Sequence, residues 1–313
     1  MSEDTFDSLK SQFSKIDFSP VKPFLATIFG APLLRIQTIL QTQDVVPTLK
    51  YGKQMKGVIN CIIRIKREEG FRFLWRGAVP AFGLAYLQQV SGIMTKKDNV
   101  TDKSLIATKI EENGINKENI DKSLSNENIS NHPEHKNSSF AKDFIPIAIS
   151  LAAFNLVAYP LEVIRTRLSA DFGPKGLRTY KKVFQTGKSL VKAGGTQTLY
   201  NGFLPLTMNL ILRETLVNYF VPQLDENPIN IASRFGVEIV LYPLVVIANR
   251  MMMISGASLA KYQNLKECVL KTKNDLGLKG FYNGFQIYLF LYGFAFVVAM
   301  VNQVAKEKKK EEL

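Results

Sequence analysis

The sequence predicts an all-α membrane protein with six transmembrane helices. Three observations lead there. Apolar residues gather in six runs, about 18–40, 78–95, 144–168, 203–222, 229–254 and 285–305. A bilayer crossing needs roughly 20 largely apolar residues, and only the first two runs are marginal against that length. The pattern Pro-Leu-x-x-Ile occurs three times, from Pro32, Pro160 and Pro243. Each copy is followed by an aromatic, a polar residue and glycine: Trp75-Arg76-Gly77, Tyr200-Asn201-Gly202 and Tyr282-Asn283-Gly284. The proline-to-glycine spacings of 45, 42 and 41 residues mark a threefold internal repeat. Finally, polar, basic connectors separate the runs.

Bulk properties narrow the class. The 313 residues are 46% hydrophobic with net charge +13 and a mean hydropathy of zero, an average over greasy helices and very polar connectors. Length alone would allow two soluble domains, but the segregation of apolar residues argues against them. Segments 42–77, 170–201 and 255–283 follow the first, third and fifth runs, so they share one side of the membrane. They are markedly basic, as in Lys50, Lys53, Lys56, Arg64, Lys66, Arg67, Arg72 and Arg76. The positive-inside rule turns that side toward the negatively charged compartment. Charge placed beside spans in this way is a poor footprint for nucleic acid. Cys61 and Cys268 fall in the same slot of two repeats and read as small buried side chains, not as a metal site or a disulfide framework. Met1-Ser2-Glu3-Asp4 carries no basic leader region, so no cleaved signal is expected.

Taken in order, residues 1–17 are polar, and the first span enters through Pro20 and Pro23. Lys56 to Glu69 sets Val58, Ile59, Ile62, Ile63 and Ile65 against Asn60, Arg64, Lys66 and Arg67. That amphipathic stretch should lie on the membrane surface and end at Gly70. The second span runs from Ala78 to about Met94. Residues 95–142 are rich in Lys, Asn, Glu and Ser, a composition that cannot bury enough surface to fold alone. They form either a disordered insert or an arm that orders against a partner. His132 and His135 lie there without the fixed Cys or acidic ligands a metal site needs. The third span ends in Tyr159-Pro160-Leu161-Glu162-Val163-Ile164-Arg165, where Glu162 and Arg165 share a helix face. Proline inside a helix removes one backbone hydrogen bond and kinks the rod. A second surface helix is expected over about Tyr180 to Lys192, and a third over about Asn264 to Asp275. The fourth span carries Arg213-Glu214, and the fifth carries Arg234, Glu238, Pro243 and Arg250. The sixth runs from Phe285 to Ala305 before a charged tail.

On these residues the chain resembles the mitochondrial carrier family, nearest its ADP/ATP carriers. Glu69-Gly70 with Trp75-Arg76-Gly77, Tyr159 to Asp171, and Asn249-Arg250-Met251-Met252-Met253 carry the likeness. The resemblance covers nearly everything except 95–142. It implies a pseudo-threefold barrel of six transmembrane helices with three surface helices on the matrix side. The organisation is then 1–94 as carrier repeat 1, 95–142 as a polar insert in the intermembrane-space loop, 143–224 as repeat 2 and 225–313 as repeat 3. It also implies a multi-pass protein of the inner mitochondrial membrane, with structural cardiolipin at Trp75, Arg76, Gly77, Tyr200, Asn201, Gly202, Tyr282, Asn283 and Gly284. Helix N-terminal amides bind phosphate without a specific side chain, so the asparagine corners could keep that role.

Set against the family pattern, the transport machinery is depleted. The matrix-gate acid positions read Leu34, Glu162 and Val245, and the base positions Gln37, Arg165 and Ala248. Glu162 and Arg165 are the remnant. The opposite gate's acid positions fall near Lys97, Pro222 and Gln303, none of them acidic. The substrate positions read Thr27, Leu84, Asn209 and Leu291, where the resemblance expects cations at Thr27, Leu84 and Leu291. By repeat symmetry, the counterparts of Thr27 are Asn155 and Glu238. Phosphates in a low-dielectric cavity need several fixed cations. The possible cavity charges are Arg167, Arg213, Glu214, Arg234, Glu238 and Arg250. Intramembrane carboxylates are normally paired, so Glu238 is expected on Arg234, and Glu214 on Arg213 or Arg250.

Two functions follow from this depletion. One is a transport-silent structural accessory subunit of a respiratory-chain complex or the ATP synthase, bound to membrane lipids and to the subunits of that complex. The other is an active solute carrier exchanging ADP and ATP, or moving a smaller substrate. No enzyme chemistry, catalytic residue, metal site, nucleic-acid contact or cofactor beyond lipid is expected, because no nucleophile–base constellation or phosphate-cradling loop appears.

Overall fold

The computed structural model describes residues 22–46, 49, 54–91, 136–173, 178–220, 228–254 and 262–311. Among these residues there is no strand. Nine α-helices follow one another: α1 Lys22–Thr42, α2 Val58–Glu68, α3 over 78–91, α4 Lys136–Ala170, α5 Val183–Gly194, α6 Phe203–Phe220, α7 Pro228–Met252, α8 Leu265–Leu276 and α9 Gln286–Glu311. Short 3-10 turns, Phe71–Trp75, Thr196–Tyr200 and Leu278–Tyr282, carry each surface helix into the next long helix. The order long, short, long thus repeats three times.

Four helices are long and apolar enough to cross a membrane: Phe24–Thr42, Phe144–Ala170, Pro228–Met252 and Gln286–Ala305. The count of six expected from the sequence is not reached among the described residues. α3 has too few described residues, and α6 is interrupted by Asn209, Arg213, Glu214 and Asn218. Helix α4 begins at Lys136, inside the stretch read from sequence as polar insert. Once an apolar run has nucleated a helix, adding each further residue is easy, so polar composition alone does not mark where the helix starts. The rest of the insert, 95–135, lies outside the described residues, as do His132, His135, Lys97 and Pro222.

Pro32, Pro160 and Pro243 sit inside continuous helices. Each proline lacks an N–H, so the carbonyl four residues earlier loses its helical donor. In the first repeat that carbonyl is Ile28, which accepts from Trp75 Nε1 at 2.8 Å. In the second it is Leu156, which accepts from the Tyr200 hydroxyl at 3.4 Å. In these two corners the aromatic therefore satisfies the acceptor that its own repeat's proline orphans. Proline and aromatic recur together because one repairs what the other breaks.

The corner glycines close the ring. They have φ of +91° at Gly77, +85° at Gly202 and +82° at Gly284, in the left-handed region. A Cβ on Gly77 would meet Ser169 Oγ and lie 3.3 Å from the Arg165 carbonyl. On Gly202 it would lie 2.7 Å from the Ala248 carbonyl, and on Gly284 3.2 Å from that of Gln37. Each neighbour is the fifth residue after a proline, in α4, α7 and α1 respectively. Corner one packs on repeat 2, corner two on repeat 3 and corner three on repeat 1. The C-terminal halves of α1, α4 and α7 are accordingly buried, with Ile36, Ile39, Val163, Leu168, Val246 and Met252 in the core. Their N-terminal halves are far more exposed, as at Phe29, Ile149 and Val240.

Candidate functional site

The site is the narrowed end where α1, α4 and α7 converge. Glu162 and Arg165 form an ion pair within α4, with Arg165 Nε donating to Glu162 Oε2 at 2.9 Å. Neither reaches another repeat through an ion pair among the described residues. The links between helices here are uncharged. Gln41 Nε2 donates to the Tyr242 hydroxyl at 2.9 Å, and Asn249 Nδ2 donates to Gln41 Oε1 at 2.5 Å. The hydroxyls of Tyr159 and Tyr242, each just before a proline, donate to the carbonyls of Asn201 and Asn283 at 2.7 and 2.9 Å.

Beyond this plug lies a layer of buried ion pairs. Arg250, expected as a cavity charge, has no exposed surface. It donates to Asp44 Oδ2 at 3.0 Å, Thr272 Oγ1 at 3.0 Å and the Gln41 carbonyl at 3.1 Å. Arg167 is equally buried and donates to the Tyr180 hydroxyl at 3.2 Å. Both lie in the last turn of their helices, where they tie to the connectors. Sequence reading missed Arg35, which is fully buried in α1 and pairs with Glu69 at 2.7 Å. It also donates to the carbonyls of Ser169, at 3.2 Å, and Phe73. The signal was available: a lone arginine in a span requires an acid, and Glu69 ends the adjoining surface helix. Arg76 pairs with Asp171 at 2.7 Å and donates to the Tyr180 carbonyl, so this corner base is engaged within the protein.

Midway along the helices, Arg213 of α6 lies between two carboxylates. It is 3.3 Å from Glu214 and 3.6 Å from Glu238 of α7. The expected Glu238–Arg234 pair is absent: Arg234 is exposed and makes no ion pair among the described residues. The close packing of α6 on α7 brings Arg213 nearer than the turn-neighbour on α7 itself. Tyr288 and Tyr292 of α9 stack at 6.1 Å beside this cluster, and Tyr292 packs on Phe235 at 5.2 Å. Asn155 and Asn209 hold helices together: Asn155 Nδ2 donates to Thr207 Oγ1 at 2.6 Å and Asn209 Nδ2 to the Leu241 carbonyl at 3.1 Å. Leu291 is exposed, while Leu84 and Thr27 are half-buried. Among the described residues this cluster sets Glu214 and Glu238 against Arg213.

At the third corner an apolar cavity of about 640 Å³ opens between α1, α2 and α9, lined by Leu33, Gly57, Ile59, Ile62, Ile287 and Phe290. Cys61 and Cys268 occupy equivalent buried positions in α2 and α8. Burial pushes the Cys61 thiol up to about 12 and the Cys268 thiol up to about 11. Among the described residues no cluster of His, Cys, Asp and Glu could hold a metal ion.

Fold and site together define a membrane-type helical ring of three repeats closed at one end. The chain belongs to the mitochondrial carrier family, whose model, described as mitochondrial carrier protein, matches residues 21–97, 136–218 and 231–312. Members of that family sit in the inner mitochondrial membrane as multi-pass proteins and are transporters, not enzymes. The chain is 25% identical to the ADP,ATP carrier protein of Parachlorella kessleri, over 88% of this chain and 79% of that protein. It is 28% identical to the bovine ADP/ATP translocase 4, over 81% of this chain and 76% of the relative. The human ADP/ATP translocase 4 is also 28% identical, over 81% and 78%.

Proposed function

We propose that this chain is a transport-silent carrier barrel of the inner mitochondrial membrane, serving as a structural accessory subunit of a respiratory-chain complex or the ATP synthase. Its repeats are 1–94, 143–224 and 225–313, with six spans and both termini and the 95–142 insert on the intermembrane-space side. The observation that carries the reading is the plug. Alternating access needs an end that opens by exchanging charged contacts between helices. Here the one acid–base pair at the gate positions lies within α4. The ties between helices are neutral hydrogen bonds backed by the fully buried Arg35–Glu69 pair and the partly buried Arg250–Asp44 pair. Arg250–Asp44 joins repeats 3 and 1, and Arg35 reaches the Ser169 carbonyl of repeat 2, so opening between repeats would have to give up these buried contacts. At the positions where the resemblance expects cations, Thr27, Leu84 and Leu291 stand instead.

Structural cardiolipin fits the same reading. The apolar cavity at the third corner would take acyl chains, and the backbone amides after Gly284 would meet a phosphate. A second reading rests on the Arg213–Glu214–Glu238 cluster. Its polarity suits a solute smaller and less anionic than a nucleotide, moved by a residual carrier.

Extraction in digitonin followed by blue-native electrophoresis separates these readings. Co-migration in constant ratio with a respiratory complex or the ATP synthase supports the subunit. Migration as a lone monomer that millimolar ADP stabilises against heat would refute it, because a ligand that binds only the folded state raises stability.

A further inference from the structure

We infer that the outward face of α5 is a docking surface for an acidic segment of a protein partner. The inference rests on the subunit reading above for the partner's existence, but on α5 itself for its chemistry. Residues 178–194 contain five bases and no acid. Lys181, Lys182, Lys188 and Lys192 make no ion pair among the described residues, whereas Arg64 on α2 pairs with Glu68 at 2.8 Å and Lys271 on α8 pairs with Glu267. Lys188 and Lys192 are a like-charge i,i+4 pair, which weakens a helix in isolation. An anion from outside would offset that repulsion.

Placement on the helix favours a water-borne partner over lipid. Thr186 and Leu190 are buried against the ring, with Ile164 beside Gly187. Phe184, 92% exposed, and Val191 mark one flank, suited to the bilayer interface. Lys188 and Lys192, two residues either side of the buried Leu190, turn away from the ring, and with Lys181, Gln185, Ser189 and the buried Tyr180 and Thr186 they line a concavity of about 300 Å³. Lysine ammoniums beside the Thr179 and Ser189 hydroxyls suit carboxylates from a short run of Asp or Glu.

The test uses the full chain in nanodiscs, titrated with a fluorescein-labelled peptide of alternating Glu and Ser. Lys181→Gln/Lys188→Gln/Lys192→Gln should weaken binding about tenfold or more, and Lys266→Gln/Lys271→Gln/Lys273→Gln on α8 by less than about twofold. Equal loss in both would mean a general net-charge effect and would overturn the proposal. Lys188→Glu alone, an exposed change that leaves the fold intact, should weaken binding in the same direction; unchanged binding would also overturn it. A spin label at Lys188→Cys should relax mainly with an aqueous nickel complex, and relaxation dominated by lipid-soluble oxygen would place this face in the bilayer instead. Peptide binding is read without transport, so its failure leaves the silent-barrel reading standing.

Discussion

Arg250→Ala should destabilise the protein severely without acting through any substrate. The guanidinium has no exposed surface, and Asp44, its partner at 3.0 Å, is nearly as buried. Truncation takes the cation from that carboxylate and removes donors from the Gln41 carbonyl and Thr272 Oγ1. Breaking a buried pair on one side costs about 3–5 kcal/mol. Gln54 still donates to Asp44 at 2.9 Å, so the lower end of that range applies. With roughly 2–4 °C lost per kcal/mol for a chain of this order of size, the expected drop is about 6–12 °C. A thiol-reactive dye followed during heating reads it directly, because Cys61 and Cys268 are both fully buried. Asp44→Asn/Arg250→Met, which removes both charges, should recover about half of the loss. A drop below about 2 °C in Arg250→Ala, with loss of nucleotide binding instead, would refute the structural role and restore Arg250 as a cavity cation.

The same dye assay checks further expectations. Trp75→Phe orphans the Ile28 carbonyl and should cost about 1–3 kcal/mol, but near zero in a Pro32→Ala background, where the substituted residue supplies the helical N–H. An equal cost in both backgrounds would break the link between proline and corner aromatic. Gly202→Ala combines a left-handed backbone with a 2.7 Å approach to the Ala248 carbonyl, so it should cost about 3 kcal/mol or more. Gly195→Ala, with φ of +76° and open space around it, should cost only the backbone strain of about 1 kcal/mol. The raised thiol values give a pH dependence of definite sign. Their contribution to stability is fully present below the unfolded thiol value of about 8.5 and is lost as pH rises through the folded values of about 11 and 12. The unfolding temperature of the native chain, followed by circular dichroism, should therefore fall above about pH 9, and that component should vanish in Cys61→Ala/Cys268→Ala.

Helix type and order were legible because each long helix announces itself by a solid apolar run and each surface helix by amphipathic periodicity. The count of spans was less so. In α6, Arg213 and Glu214 dilute the apolar signal, and Arg213 is accommodated by Glu238 across on α7, which no local pattern reveals. The threefold motif was visible as spacing, but its cause was not. That Trp75 and Tyr200 answer Pro32 and Pro160 needs coordinates, since the contacts span 47 and 44 residues. The Glu162–Arg165 pair follows from i,i+3 geometry alone. Arg250 and Arg167 were placed in the cavity because sequence gives depth along a helix without direction around it. Arg35 escaped notice because it holds no gate or substrate position in the repeat, although its buried partner Glu69 sits in a corner already marked by Gly70.

The central claim, a barrel plugged by neutral ties and buried pairs, is tested most directly by flux. The purified chain, folded and loaded with cardiolipin, is reconstituted into liposomes containing ATP and supplied with radiolabelled ADP. The account predicts uptake no greater than in empty liposomes. Uptake above that background, abolished by Arg213→Ala, would show that the narrowed end opens and that a single mid-membrane arginine suffices for nucleotide, contradicting the account.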